Sequence, residues 1–123
     1  MIYFEKTKTS ALPENPSDRQ FLSQATAVVQ SNMSNAEFGV EALANKMGVS
    51  RRQLYRKLKT LTGQSAGGFI RDSRLQKAAQ LLVEGGQAVT DIALAVGFGN
   101  LSYFCRCFQQ KFGVKPSEYV GNP

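Results

Sequence analysis

The sequence contains no histidine and only two cysteines, Cys105 and Cys107. Without histidine the commonest general base and the commonest metal ligand are both missing. Two thiols with no other strong ligands cannot build a structural zinc site. Lying two residues apart on one helix, their side chains diverge by about 200°, which argues against a disulfide between them. Cys107 then falls on the core side and Cys105 on the outer, partner-facing side. Long apolar runs are also lacking, and nothing approaches the roughly 20 residues of a membrane helix. The opening stretch from Met1 to Lys8 has neither a long apolar centre nor a cleavage pattern, so it does not read as a signal peptide. Reduced thiols and no targeting segment predict a cytoplasmic location without membrane contact. There is no nucleophile elbow, no phosphate loop and no pair of acids on one face, so no enzyme, no metal and no cofactor is expected.

Acids are scarce as well. Asp and Glu total 9 against 15 Lys and Arg, a net charge of +6 on 123 residues. A surplus of that size on one small globular body points to an anionic partner, above all nucleic acid. The imbalance is local. Residues 42–71 hold Lys46, Arg51, Arg52, Arg56, Lys57, Lys59 and Arg71 with no acid, and residues 92–117 hold Arg106, Lys111 and Lys115, again with no acid.

Periodicity and punctuation predict an all-α chain of about seven helices. Residues 1–17 carry Pro13 and Pro16 and no helical period, and read as a tail. Ile2, Tyr3 and Phe4 are too apolar for a purely solvated arm and suggest the end of an upstream element. From Ser17 or Asp18, residues Phe21, Leu22, Ala25, Val28, Val29 and Met33 recur at helical spacing. A short helix follows over Val40 to Met47 and stops at Gly48. Ser50 caps the next helix, with Gln53 at capping-box spacing, and Gly63 ends it. Ser65 starts a long helix to about Glu84, and Thr90 is the expected cap of a short one ending at Gly97. Asn100 caps another that ends near Phe112 and Gly113, and Pro116 opens a last turn.

Two stretches repeat one another. Leu43 to Val49 aligns with Ile92 to Phe98 at a shift of 49, and after one inserted residue Leu54, Arg56, Leu58 and Gly63 meet Phe104, Arg106, Phe108 and Gly113 at a shift of 50. Each copy is a short helix, a glycine turn, a second helix and a glycine stop, the outline of a helix-turn-helix. On the second helix of the first copy, Leu54, Leu58 and Leu61 share one face while Arg52, Tyr55, Arg56 and Lys59 lie opposite, with Arg51 at the start. A helix lying in a major groove needs that division: arginines for guanine edges, further cations for phosphates. Lys57 points sideways, as a phosphate contact or a solvated group. The second copy buries Phe104, Phe108 and Phe112 and presents Ser102, Cys105, Arg106 and Gln109, with Leu101 where the first has Arg51. The first copy is therefore expected to supply most of the electrostatic affinity. The second adds one arginine and small or apolar contacts, of the kind that meet thymine methyls. The joining helix spans about 30 Å, near the 34 Å or so of one DNA turn, so one chain can reach two successive grooves, with some bending of the duplex if the span falls short.

Leu43-Ala44, Met47-Gly48-Val49-Ser50, Leu54-Tyr55-Arg56-Lys57-Leu58 and Gly63-Gln64-Ser65 resemble the first unit of the AraC/XylS family DNA-binding domain. Arg74-Leu75, Ala78 and Leu81-Leu82 are similar to its connecting helix. Ile92-Ala93, Val96-Gly97-Phe98, Ser102-Tyr103-Phe104, Arg106, Phe108, Phe112-Gly113, Pro116-Ser117 and Tyr119 are similar to its second unit. The resemblance covers about Asp18 to Val120 and is nearest to the C-terminal effector domain of hybrid two-component regulators. It implies two homeodomain-like lobes: residues 18–64, a connecting helix over 65–84, and residues 85–123. It also implies sequence-specific binding of double-stranded DNA by a transcription activator that works with RNA polymerase and with upstream receiver or sensor domains. The family's base-reading positions fall on Arg52, Tyr55 and Arg56, and on Leu101, Ser102 and Arg106; Arg51 joins them from its place at the helix start, where groove contacts concentrate. Phosphate contacts fall on Ser50, Lys57, Lys59, Asn100 and Gln109. Three positions depart from the pattern: Ala66 stands where proline is frequent, Gly67-Gly68 should loosen the connecting helix, and Val120 replaces a frequent basic residue. The competing reading is a helical protein-interaction module or a non-specific nucleic-acid binder.

Overall fold

The computed structural model describes residues 14–120. Seven helices follow in order: α1 (Pro16–Ser31), α2 (Val40–Met47), α3 (Arg51–Thr62), α4 (Ala66–Glu84), α5 (Val89–Ala95), α6 (Leu101–Phe112) and α7 (Pro116–Val120). No strand occurs among the described residues. Helices α1 to α3 pack on one another as a first lobe and α5 to α7 form a second, while α4 runs between them and touches all six other helices. Residues 1–13, which hold most of the expected tail including Ile2, Tyr3 and Phe4, lie outside the described residues, as does the Val120 side chain.

Local chemistry accounts for most boundaries. The Ser50 hydroxyl accepts from the Gln53 amide at 3.0 Å while Gln53 Oε1 accepts from the Ser50 amide at 2.9 Å. This reciprocal box satisfies two of the orphan donors at the start of α3. Asn100 does the same for one donor of α6, accepting from the Tyr103 amide at 2.8 Å. Ser65 accepts from Gly68 at 3.0 Å to start α4. Helix α1 begins at Pro16, one or two residues ahead of the expected Ser17 or Asp18, because Asn15 accepts from the Ser17 amide at 2.8 Å and Pro16 stands at the first position, where its missing N–H costs nothing.

One expectation needs correction. Thr90 is not a cap: α5 begins at Val89, after an extended Ala88 that makes no side-chain cap bond. Val89 packs against the core, and that contact draws the first turn into helix one residue early, leaving Thr90 exposed. Gly67 and Gly68, expected to loosen the start of α4, lie in its first turn, and the helix runs on through both. Gly68 is buried at the cap, where a Cβ would press on the Ser65 hydroxyl at 3.2 Å.

The core is one contiguous cluster. It runs from Ala25, Val29, Leu43, Leu54 and Leu58 through Phe69, Leu75, Ala78 and Leu82 of α4 to Ile92, Val96, Phe104 and Phe108. Buried positions go round most of the α4 circumference, as they must on a helix covered from both sides. Each fully buried Leu or Phe contributes about 1.5–3 kcal/mol from removal of apolar surface from water. The second lobe adds stacked rings: Phe98 on Phe104 at 5.1 Å, Phe104 on Phe108 at 5.8 Å, and Phe108 on Phe112 and Tyr119 at 4.5 and 5.3 Å. Phe112, expected on the buried side, is half-buried because α6 ends there and Tyr119 covers only part of its ring.

Candidate nucleic-acid interface

The two turns have the same hydrogen bonds. After α2, the Gly48 amide donates to Asn45 and the Val49 amide to the Ala44 carbonyl at 3.1 Å; after α5, the Gly97 amide donates to Leu94 and the Phe98 amide to Ala93 at 2.9 Å. Both glycines sit in the left-handed region, at φ 73° and 88°, which residues with a Cβ enter only at a cost. The internal repeat is thus a repeat of backbone geometry. The one inserted residue is Gly99, which lies between the second turn and the Asn100 cap. Helices α3 and α6 both run 12 residues and both end on a left-handed glycine, Gly63 and Gly113.

On α3, Leu54 and Leu58 are fully buried and Leu61 half-buried, whereas Arg51, Arg52, Tyr55, Arg56, Lys57 and Lys59 are all exposed. The cations are not equivalent. Lys57 leans on α1: its ammonium pairs with Asp18 at 2.9 Å and stands 5.4 Å from the centre of the Phe21 ring. Lys59 turns along its own helix and donates to the Gly63 carbonyl at 3.0 Å, closing an orphan acceptor at the helix end. Among the described residues, no acid or carbonyl holds Arg51, Arg52 or Arg56. The Ser50 side chain, expected at a phosphate, is engaged as the cap described above.

On α6, Phe104, Cys107 and Phe108 are buried and Cys105 half-buried. Neither cysteine forms a disulfide. Leu101, Ser102, Arg106 and Gln109 are exposed, and Asn100 serves as the cap. Reading the sequence did not single out Tyr103 as a contact. It is 42% exposed, packs against Phe98 at 5.8 Å and lies 5.6 Å under the Arg106 guanidinium. A ring at that distance attracts the cation and limits its rotamers. The available signal was an aromatic three positions before the only arginine of α6, the spacing that brings side chains together on a helix surface. Lys111, at the far end of α6, pairs with Asp72 of α4.

A shallow groove joins the starts of the two helices. Arg51, Arg52 and Tyr55 line one end with Val40 and Gly67. Val40 and Gly67 continue into a second depression bordered by Arg71, Gly99 and Tyr103. Arg51, Arg52 and Tyr55 of α3 and Tyr103 of α6 therefore border two depressions that share Val40 and Gly67, the second of them also lined by Arg71 of α4. Among the described residues no cluster of three or more Cys, Asp or Glu could hold a metal ion, and no helix is long and apolar enough to cross a membrane.

Residues 43–122 match a family model described as a helix-turn-helix domain. Two curated relatives bear on the family. Histidine kinase P4 of Formosa agariphila is 41% identical over 102 residues, 83% of this chain but 7% of that protein. The probable transcription factor PqrA of Proteus vulgaris is 34% identical over 88 residues, 72% of each chain. The chain spans well under half of several other relatives, 28% and 38% in two of them. A crystal structure of an AraC-type transcriptional regulator from Chromobacterium violaceum superimposes with a TM-score of 0.78 at 28% identity, covering 87% of this chain and 95% of that one. The DNA-binding domain of AdpA, crystallised with a target DNA, gives a TM-score of 0.74 at 26% identity, with coverage of 81% and 89%.

Proposed function

Because this chain belongs to the AraC-type helix-turn-helix family of DNA-binding transcription regulators, we propose that it places α3 and α6 in successive major grooves on one face of a duplex. On this reading Arg51, Arg52, Tyr55 and Arg56 contact bases in the first groove, and Leu101, Ser102 and Arg106 in the second. Ser50, Asn100 and Gln109 take phosphates through exposed polar groups at or along the helices. Lys57 and Lys59 join them by exchanging Asp18 and Gly63 for phosphate oxygens. The lobes divide the work as 18–64 and 85–123, with 65–84 as the spacer. In a longer protein, receiver or sensor domains would stand upstream, and the domain would activate transcription in the cytoplasm through RNA polymerase.

One observation carries the reading: three exposed arginines on α3, Arg52 and Arg56 opposite the fully buried Leu54 and Leu58 and Arg51 at the helix start, held by no group of the described chain. Unpaired guanidinium groups on a helix surface are free to make the two-pronged contacts that read guanine. Helix α4 has 19 residues, about 28 Å at 1.5 Å per residue, somewhat less than one turn of B-DNA, so the duplex should bend towards the protein. The test is selection of bound duplexes from a random pool. Enrichment of a site with two boxes about 10 base pairs apart is the expected result. A pool with no enriched sequence, bound with a steep salt dependence alone, overturns it.

A further inference from the structure

Arg74 lies at the middle of α4 and is 6% exposed. Among the described residues no carboxylate pairs with it. Its guanidinium instead donates to four main-chain carbonyls: Nη1 to Met33 at 2.6 Å and to Val96 at 2.7 Å, and Nη2 to Asn35 at 3.1 Å and to Phe38 at 2.9 Å. Met33, Asn35 and Phe38 belong to the α1–α2 connection of the first lobe, and Val96 ends α5 in the second. Among the described residues Arg74 is the one side chain hydrogen-bonded to both lobes.

Burial of a lone charge is unfavourable and lowers the pKa of the guanidinium from its ordinary value. Four carbonyls around one planar fork offset that penalty only if they stay in place, because the fork has fixed donor directions. An apolar side chain would fill the same volume without the desolvation. What it would lack is a geometric link between the two connections.

Gly97 closes the arrangement from the other side. A Cβ there would fall on the Arg74 guanidinium and the Met33 carbonyl, whereas at Gly48, the matching turn of the first unit, nothing lies within 4 Å. The turn that precedes α6 is therefore seated directly on the group that holds the α1–α2 connection.

We infer that Arg74 is the positioning residue that sets the offset between α3 and α6, and so the spacing of the two DNA boxes the domain accepts. This rests on the two-groove reading above, but its physical core, a fixed distance between lobes, can be measured without DNA. Spin labels at Gln24→Cys on α1 and Leu94→Cys on α5, in a Cys105→Ser background, report the inter-lobe distance distribution. Both positions are exposed. One narrow distribution is expected with Arg74, and a distribution at least about twice as broad with Arg74→Lys, which keeps the charge but loses the planar fork. Should Arg74→Lys fold poorly, Arg74→Met fills the same volume with neither the buried charge nor the planar fork.

Duplex binding supplies the second arm. Lengthening the spacer of a selected site by one base pair should weaken binding about 100-fold with Arg74 and less than about tenfold with Arg74→Lys, while single-box affinity stays within about twofold. These are ratios on one protein sample, so a lower folded fraction does not alter them. An unchanged distance distribution in whichever of Arg74→Lys and Arg74→Met folds overturns the inference. A broadened distribution alongside an unaltered spacing penalty overturns the link from latch to box spacing. If the parent chain shows no spacing dependence at all, it is the two-groove reading that fails.

Discussion

The two helix-turn-helix units share a backbone and differ in nearly everything attached to it. In the first, leucines support a helix that presents Arg51, Arg52 and Arg56, and the turn glycine faces open space. In the second, a run of stacked rings from Phe98 to Tyr119 supports a helix with a single arginine, and the turn glycine is pressed against a buried guanidinium. Duplication of a fold thus leaves its two copies free to specialise. One unit concentrates charge, which attracts any duplex and is sensitive to salt. The other concentrates packing, which places a few contacts rigidly.

The largest expected contrast is between the turn glycines. Gly48→Ala should cost only the left-handed strain, about 1–2 kcal/mol. Gly97→Ala adds the eviction of Arg74 from its carbonyls, and breaking a buried charged network costs about 3–5 kcal/mol more. Denaturant midpoints of the two variants check this, and equal losses would dissolve the asymmetry. Next come the cores. Phe108→Ala should destabilise by about 3–5 kcal/mol and Leu58→Ala by about 2–5. The phenylalanine should stand higher by about 1 kcal/mol, since its ring contacts count beyond their buried area. Thermal unfolding monitored by circular dichroism measures both.

On DNA the order reverses. Arg52→Ala should weaken binding to a selected site by about 1–3 kcal/mol, and Arg106→Ala by less. If titrations give the greater loss at Arg106, charge is not what distinguishes the units. The smallest effect is at Lys57→Ala. Its pair with Asp18 is exposed, so removing it should shift stability by at most a few tenths of a kcal/mol. Any loss on DNA should be uniform across sequences, with the salt slope reduced by about one.

Much of this was readable along the chain. The bounds of α2, α3, α4 and α6 could be placed to within a residue, because a glycine stops all four and a capping Ser or Asn starts the last three. At Thr90 the same rule misled, since a contact of Val89 with the core outweighed a favourable cap. The exposed faces of α3 and α6 followed from the 3.6-residue period alone. Tyr103 escaped because its counterpart in the first unit is Gln53, a capping-box residue outside the Arg52, Tyr55, Arg56 and Lys59 stripe, and only the structure shows it half outside and beneath Arg106. Arg74 could be matched to a connecting helix by resemblance, but neither its burial nor its partners could be read from its neighbours.

What the sequence determined by itself is local: seven helices, their apolar faces, and a repeated turn. All depend on interactions spanning about four residues, which composition and spacing record directly. Tertiary structure decided which charges remain available and what holds the two units at one distance. Lys57 meets an acid 39 residues away, and Arg74 meets carbonyls 22 to 41 residues away. Pairings of that kind depend on where the folded chain brings groups together. A guanidinium with four fixed partners has no signature in a string that also contains other, solvated arginines.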